Sequence, residues 1–565
     1  MTETAERTPV DVTNADRVAD IAAVDGLLRC WMRENDLSPP DDGVLELELP
    51  AAGVRLRAVV IHHSAVGQHR FGTVSLDTGV AISAVTVAAL LAVEAAAGRG
   101  TDPGAVTDLV GRVADSTTRI AHYVRSRSET PEDPVGATPF LTAEQGLILG
   151  HPTHPAPKSR LGLSEADSER FSPELRGSFP LHWFAADRSV VSGDGPDLVA
   201  DFAPDVPEGM VPVPAHPWQA REVRSRPGVR GLLESGLLRD LGESGAHWYP
   251  TASIRTVYHP DAPVMLKFSL GLPITNSKRE NLRAELRRGL EIDRILEAGL
   301  AAALAEAHPG FGIVRDPAWL AVDVEDATES GLELVVRDNP FGPHDRAACV
   351  AGLLAERPDR DSSEIAAIVT NLAAATGEDS GAVAERWCAR YFDSVIAPVL
   401  WLYRTYGLGL EAHQQNTVVL LDEQGWPRGG WYRDNQGYYI SQRRVGELER
   451  FLPDIGVAGV NRWDDAIIDE RLGYYIGINN LLGLVGALGS HGLADERRLL
   501  AVLHRRLRDF PDLSLARTLA HAPTLRCKAN LLTRMDGLDE LVGPLESQSV
   551  YCDITNPIAE VGTPP

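Results

Sequence analysis

Two strand-forming segments joined by a short turn constrain the fold of this chain more than any other feature. Residues 251–258 and 264–270 are rich in β-branched, aromatic and other apolar side chains, a composition typical of strands. The segment between them, residues 259–263, contains two prolines and an aspartate, which favour a turn. The sequence therefore predicts a β-hairpin in which Tyr258 pairs with Val264.

Like charges would face each other across this hairpin. The predicted register sets Arg255 directly opposite Lys267 and Ser253 opposite Ser269, all on one face. Opposed like charges repel each other across a sheet, and a polyanion lying between them would remove the repulsion. The hairpin is therefore a candidate site for a triphosphate group. The alternative is that the two long side chains splay apart into solvent.

A second cationic segment follows the hairpin. Asn276 and Ser277 precede Lys278 and Arg279, and residues 278–300 carry apolar side chains at helical spacing. Either Asn276 or Ser277 is a suitable N-cap. Because the backbone N–H groups of a helix N-terminus bind phosphate, the sequence predicts a helix that begins at residue 278 and adds basic side chains to those donors.

An acid, a histidine and several amides lie just before an apolar strand in the second half of the chain. In extended backbone, Glu411, His413 and Gln415 would share one face. The strand that follows and its predicted return strand would bring Asp434 back towards Glu411. Two carboxylates with the amide oxygen of Asn416 are hard ligands of the kind that Mg²⁺ prefers. The alternative is a polar turn with solvated acids.

A proline-rich loop, residues 150–162, gathers further cations. Its three closely spaced prolines exclude a regular helix, so His151 and His154 do not share a helical face. With Lys158 and Arg160, and with no acid of its own, the loop is a candidate for anion binding. Taken alone, it is more simply interpreted as a crossing loop whose histidines bond to the backbone. Zinc is disfavoured because the loop contains no acid or cysteine.

Composition excludes several classes of partner. The chain has 54 Lys and Arg against 79 Asp and Glu, a formal net charge of −25, whereas nucleic-acid and anionic-membrane partners require excess positive charge. The most apolar windows, residues 85–97 and 480–489, are too short or too interrupted to span a bilayer. Five scattered cysteines without CxxC spacing, and no apolar leader in residues 1–16, predict a reduced, cytoplasmic protein.

Four motifs in order, HPTHPAPKSRLG, SIRT, KFSLGLPITNSKREN and EAHQQN, followed by RDN, give the chain a family resemblance. From about residue 140 to the C-terminus it resembles the NRPS-independent siderophore synthetases, the aerobactin-synthetase-like (IucA/IucC) family. The resemblance implies an α+β fold shaped like a cupped hand and a homodimer. It also implies a cytoplasmic ligase that uses ATP and Mg²⁺ to adenylate a polycarboxylate such as citrate, which then condenses with an amine or alcohol.

The chain is too long for one ordinary core, and the resemblance suggests how it divides. Residues 1–135 would form a thumb-like subdomain of helices and strands. Residues 136–380 would form a fingers-like mixed subdomain with the phosphate-binding hairpin. Residues 381–565 would form a mostly helical, palm-like subdomain that carries the Glu-x-His-x-Gln-Asn segment.

The resemblance also implies roles for individual residues. Those that hold ATP would be Ser253, Arg255, Thr256, Lys267 and Gln415, with Lys158 and Arg160 closing over the nucleotide or the acid. Those that bind the carboxylate substrate would be Thr275, Arg279, His151, His154, His413 and Lys528. Those that bind magnesium would be Glu411, Asn416 and Asp434. Within these sets, the catalytic residues would be Arg279, His413 and Lys267.

Adenylation needs no nucleophilic side chain, because cations and a metal ion supply the positioning and the charge neutralisation. Citrate is the expected acid, since the basic residues outnumber what a triphosphate with magnesium requires. Two alternatives remain open. One is an acyl-phosphate-forming ligase or kinase-like phosphotransferase at the same site, and the other is a nucleotide- or carboxylate-binding protein without turnover.

Overall fold

The computed structural model describes residues 15–40, 43–99, 102–134, 136–275, 277–538 and 548–562. Helices and antiparallel sheets are both abundant in this part of the chain, so the predicted α+β class is confirmed. The α-helices are Ala15–Glu34 (α1), Ala84–Arg99, Pro103–Glu129, Pro139–Glu144, Glu165–Phe171, Pro217–Val223, Pro227–Ser235, Arg283–Ile295, Ala301–Ala307, Val350–Leu354, Glu364–Thr376, Ser380–Tyr391, Ala397–Tyr406, Val445–Glu449, Asp465–Leu472, Gly483–Ser490, Glu496–Leu507, Ser514–His521, Asn530–Met535 and Pro557–Gly562.

The strands form six sheets. In chain order they are β1 (Val44–Leu49), β2 (Val54–His62), β3 (Arg70–Leu76), β4 (Phe179–Asp187), β5 (Val191–Asp194), β6 (Met210–Ala215), β7 (Leu238–Pro250), β8 (Thr256–Tyr258), β9 (Val264–Phe268), β10 (Leu270–Ile274), β11 (Ser277–Arg279), β12 (Phe311–Ile313), β13 (Ala318–Val322), β14 (Leu334–Asp338), β15 (Ala347–Cys349), β16 (Leu408–Leu410), β17 (Thr417–Leu421), β18 (Pro427–Tyr432), β19 (Tyr438–Ser441), β20 (Arg462–Trp463), β21 (Thr524–Lys528) and β22 (Tyr551–Thr555). The largest sheet has the order β5-β13-β14-β9-β8-β7-β4-β6.

The N-terminal segment contains both helices and strands. Helix α1 spans Ala15–Glu34, and β1 pairs antiparallel with β2 from Val44 opposite Val59 to Leu49 opposite Val54. Their alternating exposed and buried residues put one face of the sheet on a core that includes Leu27, Leu56 and Leu91.

The first predicted hairpin exists, but its register differs from the prediction. Thr256, not Arg255, lies opposite Lys267. The reason is that the strand begins only at Thr256, since Ile254 adopts a left-handed backbone with φ 67° and its N–H bonds to Thr251 O at 2.8 Å. Ser253 therefore lies in a tight loop after β7 rather than opposite a residue of β9. The repulsive pair on one face was a wrong prediction, although both cations line the same cavity.

The helix predicted to begin at residue 278 begins instead at Arg283. Ser277–Arg279 form β11, which pairs with β10 through a turn at Thr275, where φ is 55°. Asn276, one of the two predicted N-caps, lies outside the described residues, and Ser277 is in the strand. Lys278 and Arg279 therefore do not occupy a helix N-terminus, and the predicted phosphate site at such a terminus was wrong.

The second predicted hairpin is confirmed, with β17 and β18 antiparallel. The helix before it, Ala397–Tyr406, is followed by Gly407, whose φ of 68° is typical of a helix C-terminus. Among the described residues, one helix, Asp465–Ser490, is long and apolar enough to cross a membrane, and 89% of its apolar window is buried inside the protein. The apolar window at residues 480–489 is thus the end of a long core helix, not a short segment. The three-part division of the chain remains a prediction.

Candidate active site

One cavity of about 1240 Å³ collects every residue that the sequence analysis singled out for the site. Its walls include β8 and β9, the turn between β10 and β11, the segment before β17, and the proline-rich loop. The predicted site residues that line it are His151, His154, Lys158, Arg160, Ser253, Arg255, Thr256, Lys267, Thr275, Arg279, Glu411, His413, Gln415, Asn416, Asp434 and Lys528.

Lys267 lies at the centre of the cationic wall. It is 2% exposed, on β9, between β8 and β14. Its ammonium group donates hydrogen bonds to the side-chain oxygens of Asp434 and Gln436. Burial lowers the pKa of Lys267 to about 8, an effect that Asp434 partly offsets. The side chain is therefore still mainly protonated at neutral pH.

Asp434 is the carboxylate that the cations of this wall share. It follows β18 with a φ of 84°, an uncommon conformation outside glycine that aims its side chain at Lys267. Burial by itself would raise its pKa, but Lys267, Arg337 and Arg255 outweigh burial and hold the pKa of Asp434 well below its usual range. Asp434 is therefore ionised at any pH at which the protein would work.

Positive charge exceeds negative charge on this wall. Arg337 pairs with Asp316 through two bonds of 2.7 and 3.0 Å, and one of its nitrogens lies 3.6 Å from Asp434. Burial lowers the pKa of Arg255 to about 10, and the charge of Arg279 contributes to that shift. Lys267, Arg255 and Arg337 thus converge on Asp434, Asp316 pairs with Arg337, and Arg279 lies close enough to Arg255 to shift its pKa. We call these four residues (Lys267, Arg255, Arg279 and Arg337) the phosphate cluster.

Hydroxyl and guanidinium groups extend the phosphate cluster along the cavity. Arg279 donates to Thr275 Oγ1 at 2.8 Å, a bond that directs the guanidinium group across the turn between β10 and β11. Ser253 Oγ accepts the N–H of Thr256 at 3.2 Å and lies 3.2 Å from Thr251 Oγ1. The Ser253 loop is therefore ordered by its own side chains.

The opposite wall carries Glu411 and His413. The hydroxyl of Tyr439 donates to Glu411, whose pKa is raised, first by burial and also by the nearby charge of Asp434. Burial lowers the pKa of His413 to about 4, so its ring is neutral at pH 7. His413 Nδ1 accepts the N–H of Asn416 at 3.3 Å, which leaves the ring proton on Nε2. A neutral imidazole with a donor nitrogen is suited to hydrogen bonding with an anionic oxygen.

The segment that holds these groups is not fully extended, in contrast to the prediction. Gln414–Asn416 form one turn of 3₁₀ helix with His413 at its N-cap. Arg433 fixes this turn by donating twice to Gln415 O, at 3.0 and 2.9 Å, and its guanidinium group also pairs with the buried Glu144 at 2.7 Å. Glu411, His413 and Gln415 all line the cavity despite the turn.

The predicted magnesium ligands can be tested by their chemistry. Glu411 and Asp434 line one cavity close enough for the charge of one to shift the pKa of the other, and a divalent cation would relieve that repulsion. Asn416 lines the same cavity, although its amide nitrogen donates to Glu411 O at 3.2 Å. Within the described ranges, no three or more His, Cys, Asp or Glu side chains are grouped to hold a metal. Two carboxylates and one amide oxygen are hard donors that fit Mg²⁺, which would complete its shell with waters and phosphates.

Lys158 and Arg160 have an acid partner that the sequence analysis missed. The carboxylate of Glu174 is 1% exposed and accepts from both Lys158 and Arg160, the latter at 2.6 Å. Burial would raise the pKa of Glu174, but the two cations lower it to about 2. Arg160 also donates to Tyr123 and Ser172. Both cations line the cavity, yet their charge is largely committed to the fold.

The other predicted substrate residues, His151, His154 and Lys528, also line the cavity. His151 Nδ1 accepts the N–H of Thr153, and its Nε2 lies 3.0 Å from Asn479 Nδ2. His154 is buried, with Nδ1 accepting the N–H of Ala156. Both histidines thus make the backbone bonds that the simpler interpretation of the loop predicts. The charge of Lys528 contributes to lowering the pKa of His413, so the Lys528 ammonium group lies near the wall that carries Glu411 and His413.

Sequence reasoning missed the residues that hold the phosphate cluster together. Asn281, which is fully buried, accepts from Arg255 at 3.0 Å and from Gln436 at 3.2 Å, and donates to Lys267 O at 3.1 Å. Arg337 was missed because it lies on β14, a strand of the large sheet without a cationic motif. Asn281 is the last residue of the quoted KFSLGLPITNSKREN motif, and Gln436 directly follows RDN, which was the available signal.

Comparison with known proteins agrees with this architecture. A family model described as IucA / IucC matches residues 139–355, and one described as ferric iron reductase FhuF-like transporter matches residues 385–543. The rhizobactin siderophore biosynthesis protein RhbC of Rhizobium meliloti is 39% identical, with 91% of this chain and 92% of the relative covered. The spermidine-citrate ligase of Bacillus anthracis is 33% identical, with 96% and 98% covered.

A solved structure of ATP-bound aerobactin synthetase IucA, from a hypervirulent pathotype of Klebsiella pneumoniae, superposes with a TM-score of 0.84. It is 25% identical and covers 95% of this chain and 99% of that chain. The resemblance inferred from the four motifs is thereby confirmed: this chain belongs to the IucA/IucC family of NRPS-independent siderophore synthetases.

Proposed function

We propose that this chain is an ATP-dependent ligase that adenylates citrate and joins it to an amine or alcohol in siderophore biosynthesis. The observation that carries the proposal is the phosphate cluster, where Lys267, Arg255 and Arg337 converge on Asp434 and Arg279 lies beside Arg255, opposite a neutral histidine. The Bacillus anthracis relative named as a spermidine-citrate ligase supports citrate and an amine as substrates. The neighbouring ATP-bound structure supports ATP as the energy source.

In the first step, an oxygen of a citrate carboxylate attacks the α-phosphorus of ATP, and the bond to the β-phosphate oxygen breaks. Lys267 and Arg255 neutralise the charge that collects on the departing pyrophosphate. Arg279 lies where a guanidinium group can bridge the phosphate and the citrate carboxylate. His413 Nε2–H donates to an oxygen on the α-phosphorus, and the negative charge of that oxygen increases during the attack.

In the second step, the neutral amine or the hydroxyl of the acceptor attacks the activated acyl carbon. The bond from that carbon to the adenylate oxygen breaks, AMP leaves, and the acceptor loses one proton. The chain positions both partners in one cavity, and this accounts for catalysis without a nucleophilic side chain.

Magnesium is part of this proposal. Glu411 and Asp434, with Asn416 beside them, are the residues that would hold it. When bound, the ion supplies charge neutralisation and polarises phosphate oxygens. The proposal also includes a homodimer in the cytoplasm, with small molecules rather than nucleic acids or membranes as its partners.

Exchange of labelled pyrophosphate into ATP tests the first step. We expect exchange that depends on citrate, with AMP as the nucleotide product and citryl hydroxamate when hydroxylamine replaces the acceptor. ADP and phosphate as products would indicate an acyl-phosphate ligase or a phosphotransferase instead. Binding of ATP and citrate without exchange or hydroxamate would indicate a binding protein without turnover. Either outcome contradicts the proposal.

A further inference from the structure

Glu144 is a buried carboxylate outside the cavity that contacts segments of both walls of the site. It ends the short helix Pro139–Glu144, its side chain is fully buried, and it is not among the residues that line the cavity. Its Oε2 accepts the N–H of Ala252 at 2.9 Å, and its Oε1 lies 2.7 Å from Nη1 of Arg433. One side chain therefore joins two segments that are far apart in the sequence.

The contact with Ala252 holds the Ser253 loop. Within this loop, the N–H of Thr251 donates to Thr256 O at 2.9 Å, so the loop closes on itself. Such an internal bond does not connect the loop to other segments. The bond from Ala252 to Glu144 does, because it ties the loop to a separate helix one residue before Ser253.

The contact with Arg433 acts on the turn that follows His413. Arg433 donates to Gln415 O at 3.0 and 2.9 Å, so the position of its guanidinium group determines where the turn lies. Glu144 contacts that group, and the ring of Phe140 on the same helix lies beside it, with the guanidinium carbon 5.9 Å from the ring centroid. The helix that holds the loop directly therefore holds this turn through Arg433.

The helix is itself anchored on the sheet that carries the phosphate cluster. Thr138 Oγ1 caps the helix by accepting the N–H of Leu141 at 3.2 Å, and it lies 3.3 Å from the hydroxyl of Tyr258 at the end of β8. The rings of Phe140 and Tyr258 pack with their centroids 5.0 Å apart. Glu144 thus lies on an anchored helix rather than on a loop, which suits a group that positions others.

The charges of Glu144 and Arg433 cancel. Burial and the nearby charge of Arg337 would lower the pKa of Arg433, but the contact with Glu144 outweighs them and raises it. The neighbouring Cys349 is a neutral thiol, because burial raises its pKa to about 12. As a unit, the pair neither attracts nor repels a phosphate or citrate group, so any effect on the reaction comes from geometry rather than from net charge.

This arrangement requires a carboxylate. A carboxylate offers two acceptor oxygens, whereas a glutamine amide offers one acceptor and one donor group. With an amide at this position, the oxygen would face either Ala252 or Arg433, and the NH₂ group would face the other donor. Only one of the two segments would then be held.

We propose that Glu144 is a positioning residue for adenylation, which sets the spacing between the Ser253 loop and His413. This inference rests on the proposed function, because the spacing matters only if ATP phosphates lie between the two walls. The departing pyrophosphate and the α-phosphorus must then be held at the same time, and a displacement of about 1 Å can lower the rate about 10²-fold.

Two substitutions test this assignment by exchange of labelled pyrophosphate into ATP. Glu144→Gln keeps the length of the side chain but offers one acceptor, and Glu144→Asp keeps the charge and both acceptors but is one methylene shorter. Each should lower the kcat of citrate-dependent exchange between about tenfold and about 10²-fold. The KM for ATP should change less than threefold, because the groups that bind ATP are all retained. Glu144→Asp leaves Arg433 with a charged partner, so it tests the proposal even if Glu144→Gln does not fold.

Glu174→Gln is the matched control. It is the same substitution at a carboxylate that is also buried and that pairs with Lys158 and Arg160 instead of joining the two walls. It should lower thermal stability, as Glu144→Gln does, but it should leave the kcat of exchange within threefold of the wild-type value.

A double variant separates positioning from stability. Removing one partner of a buried ion pair is destabilising, whereas replacing both partners is often neutral. Glu144→Gln combined with Arg433→Met removes both charges and should therefore be more stable than Glu144→Gln alone. Its kcat for exchange should nevertheless stay at least about tenfold below the wild-type value, because neither the loop nor the turn is held by an ion pair.

The readouts separate this inference from the proposed function. Absence of citrate-dependent exchange in the wild-type protein would contradict the proposed function. With exchange present, a wild-type kcat in Glu144→Asp, or a loss that appears only as a higher KM for ATP, would overturn the positioning role. A kcat that recovers together with stability in the double variant, or an equal loss of kcat in Glu174→Gln, would show a purely structural role and would overturn it as well.

Discussion

Two groups of cations line the cavity, and their carboxylate partners distinguish them. In the phosphate cluster, Lys267, Arg255 and Arg337 converge on Asp434, and Arg337 also pairs with Asp316. In the proline-rich loop, Lys158 and Arg160 converge on the single buried carboxylate of Glu174. The sequence analysis assigned Lys267 and Arg255 to ATP, Arg279 to the carboxylate substrate, and Lys158 and Arg160 to closing over the nucleotide or the acid. Both loop cations bond directly to Glu174, whereas the side chains of Arg255 and Arg279 donate to carbonyl, amide and hydroxyl oxygens. This difference in pairing suggests that the first group binds substrate phosphates and that the second mainly stabilises the fold.

This comparison shows that a cationic motif does not reveal which carboxylates will pair with its side chains in the folded chain. Glu174 lies only 14 residues beyond Arg160, yet it follows a helix and begins no recognisable motif. Asp434 is 167 residues from Lys267. Whether a cation is available to a ligand depends on such partners, and the folded chain decides which acids reach it.

The largest expected effect is on the phosphate cluster. Arg279→Ala should lower citrate-dependent pyrophosphate exchange by about 10³-fold, the usual range for removing one preorganised donor to transition-state charge. The fold should be retained, because Arg279 is only partly buried and its side chain donates to Ile274 O and Thr275 Oγ1 in the same turn. Thermal unfolding and exchange rates measured on the same sample check both parts.

Lys278→Ala is the matched control for this substitution. Lys278 is adjacent in β11 but exposed, and it is not among the residues that line the cavity. Exchange should stay within twofold of the wild-type rate. An equal loss in both variants would mean that general positive charge, rather than the position of Arg279, supports the reaction.

The second prediction concerns the proline-rich loop. Glu174→Gln leaves Lys158 and Arg160 buried without a carboxylate, and breaking such a buried pair typically costs about 3 kcal/mol or more. The free energy of unfolding, measured with urea, should fall by that amount. The KM for ATP of the protein that remains folded should change less than threefold.

Glu243→Gln provides the contrast. Glu243 forms an ion pair with Arg170 in which the side chains are 34% and 41% exposed, and such surface pairs contribute less than about 1 kcal/mol. If Glu174→Gln raised the KM for ATP about as much as Arg279→Ala lowers exchange, while stability changed little, the division between the two cation groups would be wrong.

The sequence predicted elements and motif residues well because they depend on local composition. Both predicted hairpins exist, and the four motifs contain residues of the cationic wall and of the wall that carries His413. The predicted register of the first hairpin was wrong because Ile254 adopts a left-handed backbone, a conformation that β-branched residues rarely adopt. The predicted helix start at residue 278 was wrong because Ser277–Arg279 form a strand that pairs with β10. This pairing overrides a sequence that is well suited to an N-cap.

The parts of the site that were not predicted depend on contacts between distant segments. Arg337 joins the phosphate cluster because β14 pairs with β9 in the large sheet. One face of α1, which includes Val18 and Asp25, lines the cavity. The backbone of this helix packs closely at Gly26, where a Cβ would lie 3.0 Å from His154 O. No local pattern reports such packing, so the N-terminal contribution to the cavity became visible only in the fold.

The smallest expected effect is a pH dependence of the KM for ATP. It tests whether the phosphate cluster binds ATP, because the pKa of Lys267 lies close to neutrality. Its pKa of about 8 predicts that the KM for ATP rises above pH 8, by up to about tenfold per pH unit, as the ammonium group loses its proton. Lys267→Arg should remove this dependence, because a guanidinium group stays charged there. Pyrophosphate exchange at saturating citrate, measured from pH 7.5 to 9.5, gives both profiles.

Unfolding does not explain the predicted rise in KM, and the direction of the stability change shows why. The folded-state pKa of Lys267, about 8, lies below the ordinary lysine value of 10.5, so between these values the unfolded chain binds more protons than the folded chain. The contribution of Lys267 to stability therefore increases as pH rises through this window, while its contribution to ATP binding decreases. A KM for ATP that stays constant up to pH 9.5 in the wild-type protein would mean that Lys267 does not contact the phosphates, and the phosphate cluster would then consist of its arginines alone.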